Sequence, residues 1–390
     1  MAGSLAARTL ARPSFETAFQ AHAFVRAMLD FEAALAEAQA LEGLVPAEAA
    51  HAIRSACLEL AIDGEALVAE AKESASLAVP LVNRLRSALA QRSPSAAPYV
   101  HFGATSQDVL DTATALCLKP CLEEADRALE AVVRSLARRA REHRSTPMMG
   151  RTLMQPARPI TAGLKIARWA VALAQDRERL AEAQAVGLAI QLGGPVGALE
   201  ALGAKGPAVR RHLALRLSLA EARAWHVHRN AWIELLDCMG LTVLSAGKIA
   251  RDVSLLSQPE VGEMLESPPR AGRGASSSMP HKRNPVACAH ALAAAIRIPG
   301  LLCSLHAASV AEHERGLGGW QAEFALVPDI AGALGSSLEF LDTIARSLVI
   351  DAKRMQANLR MYGERELEAP QAYLVGATDE LLAELGAYLT

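Results

Sequence analysis

The chain has 390 residues, more than one comfortable hydrophobic core, so two or three domains or one elongated one are expected. With 51% hydrophobic, 21% charged and 4% aromatic residues it is neither disordered nor fibrous, and its Ala- and Leu-rich balance favours helix and excludes an all-β fold. Forty basic against 42 acidic residues give a net charge of -2, which removes the whole-chain basic footprint of a nucleic-acid binder; any anion site must be local.

In chain order, the N-terminal stretch is broken by Arg8 and Arg12 before any apolar run reaches signal-peptide length, and it reads as a leader. Phe24, Met28, Phe31 and Leu35 recur at helical spacing over residues 18–43, and Gly43 followed by Pro46 stops that helix. Residues 92–105, rich in Pro and Gly without periodicity, form a loop. Ser106 or Asp108 then caps a long helix from Val109 to about Arg144, with a kink at Pro120. A second helix is expected over about 159–185 with Pro159 in its first turn, ended by a Gly-rich break at 191–203. The spacing of Gly193, Gly194 and Gly197, with no strand before them, excludes a dinucleotide loop. A third helix spans about 225–257. After an irregular Pro/Gly/Ser loop, Asn284 and Pro285 start a fourth, 286–311, apolar on every face. Arg297, Pro299, His290 and His306 argue against a membrane span there, so the helix should be buried by packing, and association with other chains is the economical way to bury it.

The six cysteines, Cys57, Cys117, Cys121, Cys238, Cys288 and Cys303, make no C-x-x-C pair or zinc spacing, which fits a reduced, cytoplasmic setting. Cys117 and Cys121, four apart, read as buried small apolar residues. Three polar segments each precede a long helix, where unpaired N–H groups favour anions: HFGATSQD at 101–108, GRTLMQPAR at 150–158 and GRGASSSMPHKRNP at 272–285. Taken singly, TSQD is an ordinary cap, the serines are a linker, and Lys282 and Arg283 are solvated charges. Convergent, and joined by His281 and Arg315, they suit a small polycarboxylate.

In this order and separation the three segments resemble the signature blocks of the fumarase/aspartase superfamily, over residues 20 to 350. The resemblance implies an all-α fold with a long-helix bundle, a homotetramer whose active sites are shared between subunits, and elimination or addition next to a carboxylate, without metal or cofactor. It divides the chain into an N-terminal helical domain (1–103), a central bundle (104–350) and a short C-terminal helical segment (351–390). By position in the loop, Ser276 matches the catalytic serine. Lys282 and Asn284 match residues that hold the carboxylate whose acidity is raised, and Thr105, Ser106, Gln155 and Ser277 match substrate-binding positions. Arg315 and Arg151 are candidates, by charge, for the remaining carboxylates.

HFGATSQDVLDTA, LDFEAALAEAQALEGLVP, GKIARDVSLL and AEHERGLGGW most resemble the 3-carboxy-cis,cis-muconate cycloisomerase branch. Adenylosuccinate lyases share HFG-x-TSQD and MPHKRNP but carry a general-acid histidine where this chain has Leu153, a His-Asp pair where residues 73–82 have neither, and a phosphate-binding arginine where Phe324 stands. An amine leaves badly without a proton donor, whereas the carboxylate released on lactone opening needs little protonation. Departures from the family pattern are Ala275 in place of a glycine, HVHRNA at 226–231 with Ala231 in place of a second arginine, and a C-terminal part shorter than cycloisomerases usually have.

Overall fold

The computed structural model describes residues 12–266, 274, 278–279, 282–362 and 372–389. The leader, Ala275, Ser276, Ser277 and His281 lie outside these. The chain opens with α1 (Pro13–Thr17), α2 (Ala21–Leu41), α3 (Ala47–Glu59), α4 (Gly64–Ala71) and α5 (Ala78–Arg92). The central layer is built from α6 (Ser106–Glu142), α7 (Ala162–Gly187), α9 (Asn230–Leu256), α10 (Val286–Ala308) and α11 (Gly319–Ser347), with the short α8 (Gly206–Leu217) beside α2. Two antiparallel pairs, β1 (Pro147–Thr152) with β2 (Gln155–Thr161) and β3 (Met264–Glu266) with β4 (Leu348–Ile350), and then α12 (Ala352–Met361) and α13 (Ala372–Tyr388), complete the described residues. The fold is all-α in class. One contiguous core runs from Phe15 in α1 to Leu385 in α13, so the N-terminal helices, the bundle and the C-terminal helices share their apolar interior.

Helix α2 buries Met28, Leu29, Phe31 and Leu35 at the three-and-four spacing legible in the sequence. Helix α6 runs unbroken through Pro120 for 37 residues, about 55 Å. Its cap is Thr105, one residue before the expected Ser106. The Thr105 side chain accepts from the Asp108 N–H while Asp108 accepts from the Thr105 N–H at 3.0 Å, a reciprocal box that neither Ser106 nor Asp108 could make alone. Close packing of α9 on α10 depends on Gly247, where a Cβ would stand 2.4 Å from that of Ala295. Cys117 and Cys121 are buried in α6, as their spacing implied.

Two expected helix starts move. Pro159 lies in β2 opposite Met149, because the chain folds back as a hairpin before α7 begins; Thr161 then caps α7, accepting from Leu164 N at 2.9 Å. Helix α10 begins at Val286, with Pro285 as its cap and the Val286 N–H bonded back to the Asn284 carbonyl. Helix α10 is also not buried within one chain. Ala287, Cys288, Ala291, Ala294, Ile298 and Leu305 face α9 and α11, while Ile296 is 73% exposed. By length and composition α10 and α11 could each cross a membrane; most of α11 is buried among its neighbours, and Arg297 of α10 lies 3.4 Å from Asp329 of α11.

Candidate active site

Those predicted site residues that are described fall into two groups at opposite ends of the bundle. The first gathers around the start of α6. His101 has φ +62 and shares a 2.6 Å hydrogen bond with the buried Glu32. Burial works against its imidazolium, but the Glu32 carboxylate outweighs that and holds His101 above its ordinary range. Thr105 and Ser106 are half-buried on the turn that follows. Arg315, in the segment joining α10 to α11, reaches the same turn: Nη1 donates to Gln107 Oε1 (2.6 Å) and Nη2 to the carbonyls of Gly194 (3.1 Å) and Pro195 (3.0 Å). Its three acceptors are neutral, and among the described residues no carboxylate pairs with it.

Beneath this turn lies a buried ionic cluster. Arg229, 3% exposed, donates to Asp111 (2.9 and 3.1 Å) and to Glu323 (2.7 and 2.6 Å), and its guanidinium stacks 4.7 Å from the Trp225 ring centre. Trp232 Nε1 donates to the same Glu323 at 2.9 Å. The cluster ties the starts of α6, α9 and α11 together. Burial pushes Glu323 up even with Arg229 beside it, as expected where two carboxylates share one guanidinium. Arg229, in the HVHRNA stretch where Ala231 replaces a second arginine, is committed to these two acids.

The second group gathers where α6 ends and α10 begins. Gln155 stands at the tip of the β1–β2 hairpin, opposite Thr152. The two residues between them, Leu153 and Met154, have φ +49 and +65 and are 96% and 69% exposed. A two-residue turn of this hand normally takes Asn and Gly, so two bulky apolar residues in it are unusual. Arg151 does not present a free fork: it binds both oxygens of the fully buried Glu263 at 2.8 Å and donates to the Met149 carbonyl. Asn358 of α12 donates to the same Glu263 at 2.7 Å, so the hairpin is fastened to α12 through this acid. Lys282 is exposed and Asn284 half-buried, just before α10. The Asn284 N–H donates to the Gly274 carbonyl at 2.8 Å; Gly274 has φ +76, and a Cβ there would stand 2.5 Å from the Asn284 carbonyl oxygen.

The expectation that bare helix starts would hold an anion needs correction, because each of the three has an internal cap. Thr105 and Thr161 serve α6 and α7. The Glu266 carboxylate accepts from the Ala287 N–H (3.0 Å) and the Cys288 N–H (3.2 Å) at the start of α10. Sequence reasoning also missed Asp108 as more than a cap, and missed Asp111, Gln107, Glu263 and Glu323 entirely. Nothing local marks them, since their partners lie far away in the chain.

Helix lengths separate the two groups. The hairpin is one α6 length, about 55 Å, from Ser106, and Asn284 is one α10 length, about 35 Å, from the segment carrying Arg315. Within one chain the described parts of these segments therefore stand apart.

Comparison with known proteins matches this arrangement to a lyase family model over residues 7–300. The chain is 46% identical over 333 residues to a 3-carboxy-cis,cis-muconate cycloisomerase of Bradyrhizobium diazoefficiens, covering 85% of this chain and 74% of that protein. It is 43% identical over 349 residues to a cycloisomerase of the same description from Pseudomonas putida, covering 89% and 82%. Among solved structures, the 3-carboxy-cis,cis-muconate lactonizing enzyme from Pseudomonas putida superposes with a TM-score of 0.86 at 38% identity, over 98% of this chain and 87% of that one.

Proposed function

The chain belongs to the lyase family of the fumarase/aspartase superfamily, and on that premise we propose that it is a 3-carboxy-cis,cis-muconate cycloisomerase, interconverting this triacid and 4-carboxymuconolactone in protocatechuate breakdown. The observation that carries the reading is the hairpin tip. Where an amine-eliminating lyase needs a proton donor, Leu153 and Met154 offer none, and the cycloisomerase leaving group is a carboxylate.

In the lactone-opening direction Ser276 removes the proton alpha to a carboxylate, and the C–O bond to the leaving carboxylate then breaks; in the other direction Ser276 returns the proton. A hydroxyl is a poor base at neutral pH, so the Ser276 alkoxide must be stabilised by loop N–H groups and by Lys282 in a closed site. Lys282 and Asn284 hold the carboxylate that becomes a dianion, and screening that charge is the largest catalytic contribution. Arg315, oriented by neutral acceptors and free of a carboxylate among the described residues, takes another substrate carboxylate. Thr105, Ser106, Gln155 and Ser277 supply the remaining polar contacts. Arg151, paired with Glu263, acts by fixing the hairpin that carries Gln155.

The separation of the segments along one chain supports sites completed between copies of a homotetramer, and the free cysteines support a cytoplasmic setting. An ultraviolet assay with 3-carboxy-cis,cis-muconate, run beside adenylosuccinate, tests the function. Loss of diene absorbance is expected with the first substrate only; turnover of adenylosuccinate alone would place the chain with the amine-eliminating lyases.

A further inference from the structure

Asp108 is completely buried, and its carboxylate accepts four hydrogen bonds, none from a cation. Oδ1 accepts from Gln191 Nε2 (3.0 Å) and the Gly193 N–H (2.9 Å), Oδ2 from the Gly194 N–H (3.0 Å) and the Thr105 N–H (3.0 Å). Gly194 thus gives its N–H to Asp108 and its carbonyl to Arg315. Gln107, next to Asp108, supplies Arg315 with its third acceptor, and its amide donates to the His226 carbonyl at 3.2 Å. Glycine is required for this approach: Gly194 has φ +71, and a Cβ on Gly193 would stand 2.8 Å from that of Ala224.

We propose that Asp108 is a positioning residue for Arg315, the two forming an ion pair split by the Gly193–Pro195 segment. A carboxylate bonded directly to Arg315 would neutralise its fork, as Glu263 does to Arg151. Placing a backbone segment between them aligns the guanidinium yet leaves its charge for a substrate carboxylate. The proposal rests on the reading of Arg315 as a carboxylate ligand.

Ionisation matters here, since four donors suit a carboxylate and not a carboxylic acid. Burial pushes Asp108 up to about 6, against the four hydrogen bonds that favour its charged form, so the split pair forms above that pH and fails below it. Other charged or titratable groups around it, among the described residues, include His101 on Glu32, His226 with Nδ1 3.4 Å from Gln191 Nε2, the Asp111–Arg229–Glu323 cluster, and Glu200, whose Oε2 is 3.9 Å from where a Cβ on Gly194 would stand.

The test uses the assembled full-length enzyme with Asp108→Asn, Arg315→Ala and the double variant, each checked for assembly size. With 3-carboxy-cis,cis-muconate, Asp108→Asn should raise KM roughly tenfold while kcat changes less than about threefold, and the double variant should have the KM of Arg315→Ala alone. A fall in KM would mean that Asp108 acts only as a nearby negative charge, and additive losses would mean a role independent of Arg315; either outcome overturns the proposal. If Arg315→Ala leaves KM unchanged, the reading of Arg315 fails instead. Two readouts need no Asp108 variant, and the second needs no turnover. Wild-type KM should rise as pH falls through about 6, in His101→Gln as well but not in Arg315→Ala, and a flat profile overturns the proposal. Amide exchange across 191–195 in the unliganded wild-type enzyme should quicken over the same range, and exchange independent of pH beyond its intrinsic dependence overturns it too.

Discussion

At the scale of single residues, the chemistry divides between groups whose charge is already met and groups whose charge is not. Arg229 and Arg151 are spent on buried acids, whereas Arg315 is held by amide and peptide oxygens. Removing Arg315 as Arg315→Ala should therefore raise KM at least about tenfold with little change in fold, checked by steady-state kinetics beside circular dichroism. Arg229→Met should instead cost stability, about 3–5 kcal/mol in denaturant unfolding, because two buried carboxylates lose the guanidinium that pairs with both. Glu323→Gln should cost distinctly less, since Asp111 still meets Arg229. Ser276→Ala is expected to abolish turnover with assembly intact; near-normal turnover would mean that the base is another group. Residue types were legible here from the motif blocks, but their pairings were not. Arg151 and Arg315 look alike in the sequence, and only the position of Glu263, 112 residues further on, tells them apart.

Among the elements, the β1–β2 hairpin is where local preference and structure disagree. The sequence predicts a helix start at Pro159, whereas Pro156 and Pro159 serve in a short two-stranded ribbon that leaves their missing N–H groups without consequence. Its turn puts Leu153 and Met154 at positive φ and in solvent within one chain. Replacing them by Asn and Gly should raise stability by up to about 1 kcal/mol in urea unfolding of the dissociated chain, since those residues adopt this turn without strain. Activity should nevertheless fall if the apolar tip seats against another copy; a variant both more stable and fully active would show that the tip has no such contact. The long helices were the most legible elements, because apolar positions at i, i+3 and i+4 and a reciprocal cap are read locally.

For the whole molecule, helix α10 and the separation of the segments make the same demand. An apolar helix that leaves Ile296 exposed offers a surface for another copy, and segments about 35 to 55 Å apart in one chain fit the proposed sites completed between copies. Ile296→Glu should yield smaller particles by light scattering and lose activity with them. Coexpression of Ser276→Ala, which shows no turnover alone, with Arg315→Ala, which turns over only at raised KM, should give a fraction of sites with the wild-type KM, since a mixed assembly contains sites built from intact segments of each; turnover at the Arg315→Ala KM alone would mean that each site is complete within one chain. The sequence by itself determined the helical class, the long central helices, the family and the three motif segments on which the proposed chemistry rests, because periodicity, caps and motif order are local properties. Only the tertiary structure decided which arginines are neutralised, how Asp108 is joined to Arg315 through a glycine, and that the segments stand at opposite ends of the bundle. Those outcomes depend on burial and on partners far apart in the chain, where the cost of an unpaired buried charge, rather than any local preference, selects the arrangement.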